Sequence, residues 1–211
     1  DTSDAKNYFG VHAVVTANEL TTNDIELYKD LEGTYKSLKY LSNNVLADDK
    51  VMYVGHAVAA VAAINPYVAT EALSLIKVDY QILDGVTNVE SSMSHDAPIL
   101  LDTPITASPR PLEFKSTNVV GHCKFSQGNV DRGFERAEVI VETEYSTSTV
   151  HQGYIEPQSA TALWTQEDRQ LKIWCTNQGH FSVRHEVSVL LNIPVSEIKV
   201  IPMEIGGGFG G

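Results

Sequence analysis

Cysteine is nearly absent from this sequence, which has two, Cys123 and Cys175, among 211 residues. They lie far apart and neither belongs to a CxxC pair, so their spacing does not predict a zinc site. One disulfide is compatible with two cysteines, but so few of them favour two buried free thiols in a cytoplasmic protein. We therefore expect a cytoplasmic location.

Long apolar runs and an excess of positive charge are also missing. No stretch of about 18 apolar residues occurs, so we expect no membrane span. The first ten residues, DTSDAKNYFG, lack the basic and apolar regions of a signal peptide. Acidic residues outnumber basic ones by 27 to 15, and the formal net charge is -12. Because phosphate binding needs clustered Lys and Arg, this charge argues against a nucleic-acid partner.

The remaining composition is that of an ordinary globular protein, with 43% hydrophobic and 20% charged residues. The length allows one sizeable domain or two small ones. Asp1 is not a methionine, and Gly211 ends the sequence inside a glycine-rich loop that needs something on its far side. We therefore expect these residues to be part of a longer chain.

The first half of the sequence predicts mixed helices and strands. A helix is expected from Pro66, because Asn65 is a good N-cap and Pro66 fits the first helical position. Strands are predicted over 11–17, in two runs broken at Gly55 within 50–64, and over the alternating residues 77–83. Residues 87–116 hold four prolines and little periodicity, which is typical of a linker, so a domain boundary is predicted there.

The second half begins with a strand and turn in 118–129, followed by a short helix capped by Asn129. The clearest strand is predicted over 138–150, where apolar and polar residues alternate. A hairpin over 159–165 and 170–177, a helix over 181–193 and a last strand over 197–204 follow.

The glycine run GGGFGG at 206–211 is the first candidate site. It follows a strand and satisfies the dinucleotide pattern GxGxxG at Gly206, Gly208 and Gly211. No helix and no acidic residue follow it here, so the match is weak, and a mobile turn is one alternative. Five glycines in six positions exceed what a turn needs. Close approach of backbone N–H groups to an anionic or planar ligand is the better interpretation.

Two polar clusters give the other candidates. In HQGYIEPQ, Pro157 holds Glu156 in an extended conformation; Glu156 is either a hydrogen-bonded structural carboxylate or a group that shapes a pocket. In WCTNQGH, Asn177 and Gln178 are either loop amides, which the sequence alone favours, or ligand-binding amides. His180 and His185 are five residues apart and miss the spacing of a helical metal pair. The sequence alone supports neither a zinc site nor a Ser-His-Asp arrangement, so we predict no metal-ligating side chain within these residues.

Six segments in this order resemble one known family: YVGHAVAAVAA, ATEALSLIKVDYQIL, GNVDRGFERAEVIVETEYST, HQGYIEPQSATALW, CTNQGH and GGGFGG. Together they resemble the molybdenum-binding large subunit of the xanthine oxidase family of molybdenum hydroxylases. The resemblance implies an α+β fold. Residues 1–105 would form an α/β hammerhead domain, and residues 106–211 would form the N-terminal part of a molybdenum cofactor-binding domain.

The same resemblance implies oxidative hydroxylation of a small heterocycle or aldehyde, with water as the oxygen source. The cofactor would be molybdopterin, either as the mononucleotide or as the cytosine dinucleotide. Electrons would leave through Fe–S clusters and FAD on partner domains or subunits, assembled with the rest of the large subunit. The matching cofactor-binding positions are Gln178, Gly207, Gly208, Phe209 and Gly210, with Glu156 as a pocket-shaping residue. The family's general base would lie beyond these residues.

Two other classes of function stay open at this point. The chain could serve only as an assembly surface for partner subunits, without a cofactor. It could also bind a nucleotide through the GxGxxG-like loop.

Overall fold

The computed structural model describes residues 1–20, 27–101, 118 and 125–210, which form helices and three small sheets. The first sheet pairs β1 (Val11–Thr16) antiparallel with β4 (Ala59–Ala63). Helices α1 (Ser3–Lys6) and α3 (Pro66–Ser74) pack against this pair. Ala5, Val14 and Ala72 form the buried centre of this layer, at 0%, 5% and 0% exposure.

Helix α3 begins as the sequence predicts. The Asn65 side chain accepts a hydrogen bond of 2.9 Å from the backbone N–H of Val68, and Pro66 occupies the first helical position. This bond satisfies one of the N–H groups that a helix start leaves without an intrahelical partner. It thereby fixes the start of the helix that buries Ala72 against β1.

Replacing the cap should destabilise this layer. We expect Asn65→Ala to lower the free energy of unfolding by about 1 kcal/mol, because the Val68 N–H loses its acceptor. Asn65→Asp should retain most of the stability, since aspartate caps equally well. Asn44→Ala, in the last turn of α2 (Leu38–Val45), makes the same chemical change at an exposed position without a cap bond. Thermal unfolding followed by circular dichroism at 222 nm compares the stability of the three variants. Equal losses of stability in Asn65→Ala and Asn44→Ala would contradict the capping role.

A second sheet lies in the first half of the chain and contacts helix α6 (His180–Leu191) of the second half. It is the hairpin of β2 (Leu27–Lys29) and β3 (Tyr35–Ser37), and α2 follows it directly. Nε2 of His185, on helix α6 (His180–Leu191), donates to the Lys29 carbonyl oxygen over 2.7 Å. The Tyr28 ring lies 6.1 Å from the His185 ring, and burial, followed by the nearby charge of Glu186, raises the pKa of Tyr28. The hairpin therefore packs against α6 and stabilises its position through His185.

The third sheet carries the order β5 (Ala160–Thr165), β6 (Gln170–Cys175), β7 (Ile198–Pro202). Strand β5 is antiparallel to β6, whereas β6 is parallel to β7. Leu171 and Ile198 are paired across β6 and β7, at 8% and 2% exposure. Helix α6 supplies the crossover between these parallel strands, packs on β7, and ends at Asn192 in the left-handed conformation with φ 51°.

Most of the strongly patterned elements are confirmed. They are β1, the run that became β4, helix α3, helix α5 (Val130–Arg136) with its Asn129 cap, the β5–β6 hairpin, α6 and β7. The predicted strand and turn in 118–129 lie largely outside the described residues, as does Cys123. The described part of the predicted linker contains one short helix, α4 (Val89–Met93). Across the described ranges, no helix has the length and apolar character to cross a bilayer.

Three predicted strands are wrong: the run before Gly55, residues 77–83 and residues 138–150 carry no strand hydrogen bonding. Alternation of side chains sets two faces, but a strand also needs a neighbour for its backbone N–H and C=O groups. None of the described segments pairs with these three. Their apolar side chains are consequently exposed, at 79% for Val139, 83% for Val141 and 87% for Tyr145.

Candidate functional site

Three segments converge at one edge of the third sheet. Strands β6 and β7 are parallel, with Cys175 opposite Pro202, so both carboxyl ends lie at the same edge. Strand β5 runs the other way and begins there, with Ala160 opposite Cys175. Residues before β5, after β6 and after β7 therefore meet, although they are distant in sequence.

An open cavity of about 520 Å³ lies between these segments. It is lined by residues of 154–160, by residues 175–178, and by Ile205, Gly207 and Gly208. The carboxyl edge of parallel strands is a common place for ligand sites in α/β sheets. The cavity brings together the three motifs that the sequence singled out: the Glu-Pro segment, the Asn-Gln pair and the glycine loop.

Glu156 touches the start of the glycine loop. Its Oε2 accepts a short hydrogen bond from the backbone N–H of Gly206. A Cβ atom added at Gly206 would lie 2.8 Å from the Glu156 Cβ, closer than carbon atoms approach. Glycine at this position therefore lets the loop backbone lie directly on the Glu156 side chain.

Gln178 contacts the middle of the same loop. A Cβ atom at Gly208 would lie 2.6 Å from Cδ and 2.7 Å from Oε1 of Gln178. The bare backbone of Gly208 thus packs on the side-chain amide. Two glycines, each against one polar side chain from a different segment, explain why the run needs more than one residue without a side chain.

The residues between and after these contacts have unusual backbone angles. Gly207 has φ +112°, and a Cβ there would meet the Phe209 ring at 3.0 Å and Tyr154 Cβ at 3.4 Å. Phe209 has φ 51° and is 75% exposed, with its ring against Gly207. Gly210, at φ +82°, has open space on its side-chain face.

Two donors of the loop are left for a ligand. Gly207 and Gly208 both line the cavity, and no atom of the described residues accepts a hydrogen bond from either backbone N–H. Backbone N–H groups are obligatory donors that find partners when they are covered. A ligand with anionic or carbonyl-like acceptor atoms would satisfy both.

Asn177 has a structural role in the turn that follows β6. Its Oδ1 accepts a hydrogen bond of 3.1 Å from the Gly179 N–H, and its Nδ2 donates to the Cys175 carbonyl oxygen over 3.2 Å. The loop-amide interpretation therefore holds for Asn177. This turn places Gln178 beside Gly208, immediately before α6 begins at His180.

Several cavity residues were not predicted as site residues, among them Tyr154, Cys175 and Ile205. The Tyr154 hydroxyl accepts a hydrogen bond of 2.9 Å from Gln158 Nε2. Cys175 is half-buried and is a free thiol. The parallel pairing of β6 with β7 was the missing signal, because it brings Ile205 and the glycine loop to the edge where the predicted β5–β6 hairpin places Tyr154 and Cys175. Within the described ranges, no group of three or more His, Cys, Asp or Glu side chains could hold a metal ion.

Comparison with known families agrees with this geometry. Residues 1–84 match the model for "Aldehyde oxidase and xanthine dehydrogenase, a/b hammerhead domain". Residues 113–211, which include every cavity segment, match the model for "Molybdopterin cofactor-binding domain". The chain belongs to the molybdopterin-binding large subunits of the xanthine oxidase family. The fold class that the resemblance implied, an α/β hammerhead domain followed by the first part of a cofactor-binding α+β domain, is confirmed.

Curated members of the xanthine oxidase family match most or all of the chain. The nicotinate dehydrogenase large molybdopterin subunit of Eubacterium barkeri is 32% identical over 168 residues, or 79% of this chain and 36% of that protein. The carbon monoxide dehydrogenase large chain of Afipia carboxidovorans is 31% identical over 220 residues, covering 100% of this chain and 25% of the relative. The chain thus spans between a quarter and just over a third of the length of these two family members.

Two solved structures share the fold of the chain. A crystal structure of the Cu,Mo-CO dehydrogenase superposes with a TM-score of 0.74 at 31% identity, over 100% of this chain and 26% of that one. Quinoline 2-oxidoreductase from Pseudomonas putida 86 also gives 0.74, at 24% identity, covering 100% of this chain and 25% of that chain. At 24% identity, the comparison with quinoline 2-oxidoreductase supports a shared fold and no shared function.

Proposed function

We propose that the cavity binds part of a molybdopterin cofactor within the large subunit of a molybdenum-dependent oxidoreductase. The observation that carries the proposal is the pair of N–H groups at Gly207 and Gly208 on the cavity wall, for which the described residues supply no acceptor. Membership of the molybdopterin-binding family supports this choice of ligand over a nucleotide. The GxGxxG reading is not favoured, because the Gly206 N–H that would serve a pyrophosphate is already taken by Glu156.

The residues fit such a group in a defined way. Gly207 and Gly208 offer two backbone donors to anionic acceptor atoms, and the amide of Gln178 lies beside them. Phe209 and Gly210 follow in the same loop, outside the cavity lining, and would also contact the cofactor; Glu156 would shape the pocket from the segment before β5. Backbone donors held in place before a ligand arrives need little rearrangement to bind it.

When bound, the cofactor would supply the two-electron oxidation of a small heterocycle or aldehyde, with water as the source of the oxygen. Relatives named nicotinate dehydrogenase and aldehyde oxidase 2 support these substrate classes. The chain's own residues would orient the cofactor and keep its acceptor atoms hydrogen-bonded. The general base is expected outside these residues.

The finer assignments follow from the same family. We propose the cytosine dinucleotide form as an alternative to the mononucleotide, and partner domains or subunits that carry Fe–S clusters and FAD. A relative named subunit gamma of a dehydrogenase complex supports partner subunits. A change of domain near residue 105 is supported by the two family matches, which leave 85–112 uncovered. The cytoplasmic location stays a prediction from the cysteine content.

Molybdenum and pterin content of the complete large subunit tests the proposal. We expect molybdenum and pterin in equal amounts, approaching one of each per subunit, and oxygen from labelled water in the product. Gln178→Ala should lower both contents together, whereas Glu144→Gln, an exposed carboxylate outside the cavity, should leave them unchanged. A large subunit that is purified with its partners and holds no molybdenum would support the assembly-module alternative. A bound nicotinamide or flavin nucleotide in the cavity would support the nucleotide alternative.

A further inference from the structure

The contact between Glu156 and Gly206 joins two walls of the cavity. The side chain leaves the segment before β5, and its Oε2 accepts the N–H of the first loop glycine after β7. We propose that Glu156 is the positioning residue of the glycine loop, holding Gly206 so that the Gly207 and Gly208 donors stay at the cavity wall. The inference deepens the proposed function and rests on it for the identity of the ligand.

Three features make Glu156 suited to this role. A carboxylate accepts a stronger hydrogen bond from a backbone N–H than a neutral oxygen does. Pro157 restricts the Glu156 backbone to extended conformations, so the side chain leaves in a fixed direction. The bond from Gln158 Nε2 to the Tyr154 hydroxyl, 2.9 Å long, ties the two ends of the same short segment together. The Glu156 carboxylate therefore projects from a segment that Pro157 and the Gln158–Tyr154 hydrogen bond hold in place.

The loop has a matching surface. Gly206 lies on Glu156, Gly207 lies near Tyr154, and Gly208 lies on Gln178. The first two contacts belong to the segment before β5, and the third belongs to the turn after β6. Glu156 takes the Gly206 donor, and the next two N–H groups, at the cavity, have no acceptor within the part of the chain that the structure describes. Loss of the Glu156 acceptor would free the loop from one of its two walls.

The test uses the complete large subunit, prepared without cofactor and with it. Amide hydrogen exchange of the cofactor-free protein reports on the loop directly, independent of catalysis. Glu156→Ala should speed exchange of the Gly206 amide, followed in the peptide spanning 204–210, by about tenfold, the effect of one lost charge-assisted hydrogen bond. Glu156→Gln, which keeps an acceptor oxygen but loses the charge, should fall between wild type and Glu156→Ala. Molybdenum retention should decrease from wild type through Glu156→Gln to Glu156→Ala.

Glu204→Gln is the matched control. It removes one charge two residues before Gly206, from an exposed side chain that does not line the cavity. Exchange and molybdenum content should both equal those of wild type. The melting temperature and the exchange of β5–β7 should stay unchanged in Glu156→Ala, which separates positioning of a loop from support of the whole fold.

The outcomes distinguish the two proposals. Unchanged loop exchange in Glu156→Ala overturns the positioning role, as does faster exchange spread over all of β5–β7 with a lower melting temperature. If wild type holds molybdenum in either case, the proposed function still stands. Faster loop exchange in Glu156→Ala, together with wild-type protein that never takes up molybdenum, supports the positioning role and overturns the proposed function.

Discussion

Gly208→Ala is expected to weaken retention of the cofactor by about tenfold to a hundredfold, since overpacking a close contact costs about 1–3 kcal/mol. The added methyl group would lie 2.6 Å from Cδ and 2.7 Å from Oε1 of Gln178. Either the loop or the amide must move, and both are proposed to contact the ligand. The measurement is molybdenum and pterin per large subunit after extended dialysis.

A second substitution separates packing from binding. Gln178→Ala removes the atoms that the new methyl group would strike, so the double variant should regain the loop packing and the melting temperature of Gln178→Ala alone. Its cofactor content should stay low, because the amide donor is gone. Full recovery of cofactor in the double variant would show that Gln178 only fills space.

Gly133→Ala is the control for adding a methyl group. Gly133 lies in helix α5, far from the cavity in sequence, and a Cβ there would meet no atom within 4 Å. Alanine is also the better helix former, so a small gain in stability is expected. If Gly133→Ala retains the cofactor as wild type does, the loss of cofactor in Gly208→Ala is due to the position of the added methyl group at the cavity wall.

The individual motifs of the site could be predicted from the sequence, but the contacts between them could not. Five glycines around one phenylalanine indicate close backbone approach, and a Glu-Pro pair indicates an extended backbone at the glutamate, wherever they occur. The contact of Gly206 with Glu156 spans 50 residues. It depends on β7 adding to β6 in parallel with β5 on the other side, and no local pattern encodes that order.

The same limit explains the errors in the fold. Helix α3 was predictable because its signals, Asn65 and Pro66, act within one turn of the helix they start. The alternation over 138–150 is as regular as that of any strand in the chain. It records only that the segment has two different faces, whereas pairing depends on a neighbour that local sequence does not specify. Local chemistry was therefore sufficient for caps and turns, and insufficient for sheet partners.

Ile198→Ala should be the most destabilising of the substitutions considered for the third sheet. Ile198 is 2% exposed and pairs with Leu171, which pairs in turn with Trp164 of β5. Truncating a buried isoleucine to alanine costs about 2–5 kcal/mol through lost burial and the cavity left behind. Both tryptophans of the chain, Trp164 and Trp174, lie in this sheet. Urea unfolding followed by tryptophan fluorescence therefore reports on it specifically.

Val195→Ala provides the comparison at a nearby position. Val195 precedes β7 by three residues and is 45% exposed, so its truncation should cost less than about 0.5 kcal/mol. Equal losses for the two variants would contradict a core role for Ile198. Because Ile198 lies at the end of β7 away from the cavity, Ile198→Ala should keep its cofactor well below the unfolding transition. Gly208→Ala should instead lose its cofactor while its sheet stays folded, so the two variants separate support of the sheet from binding at its edge.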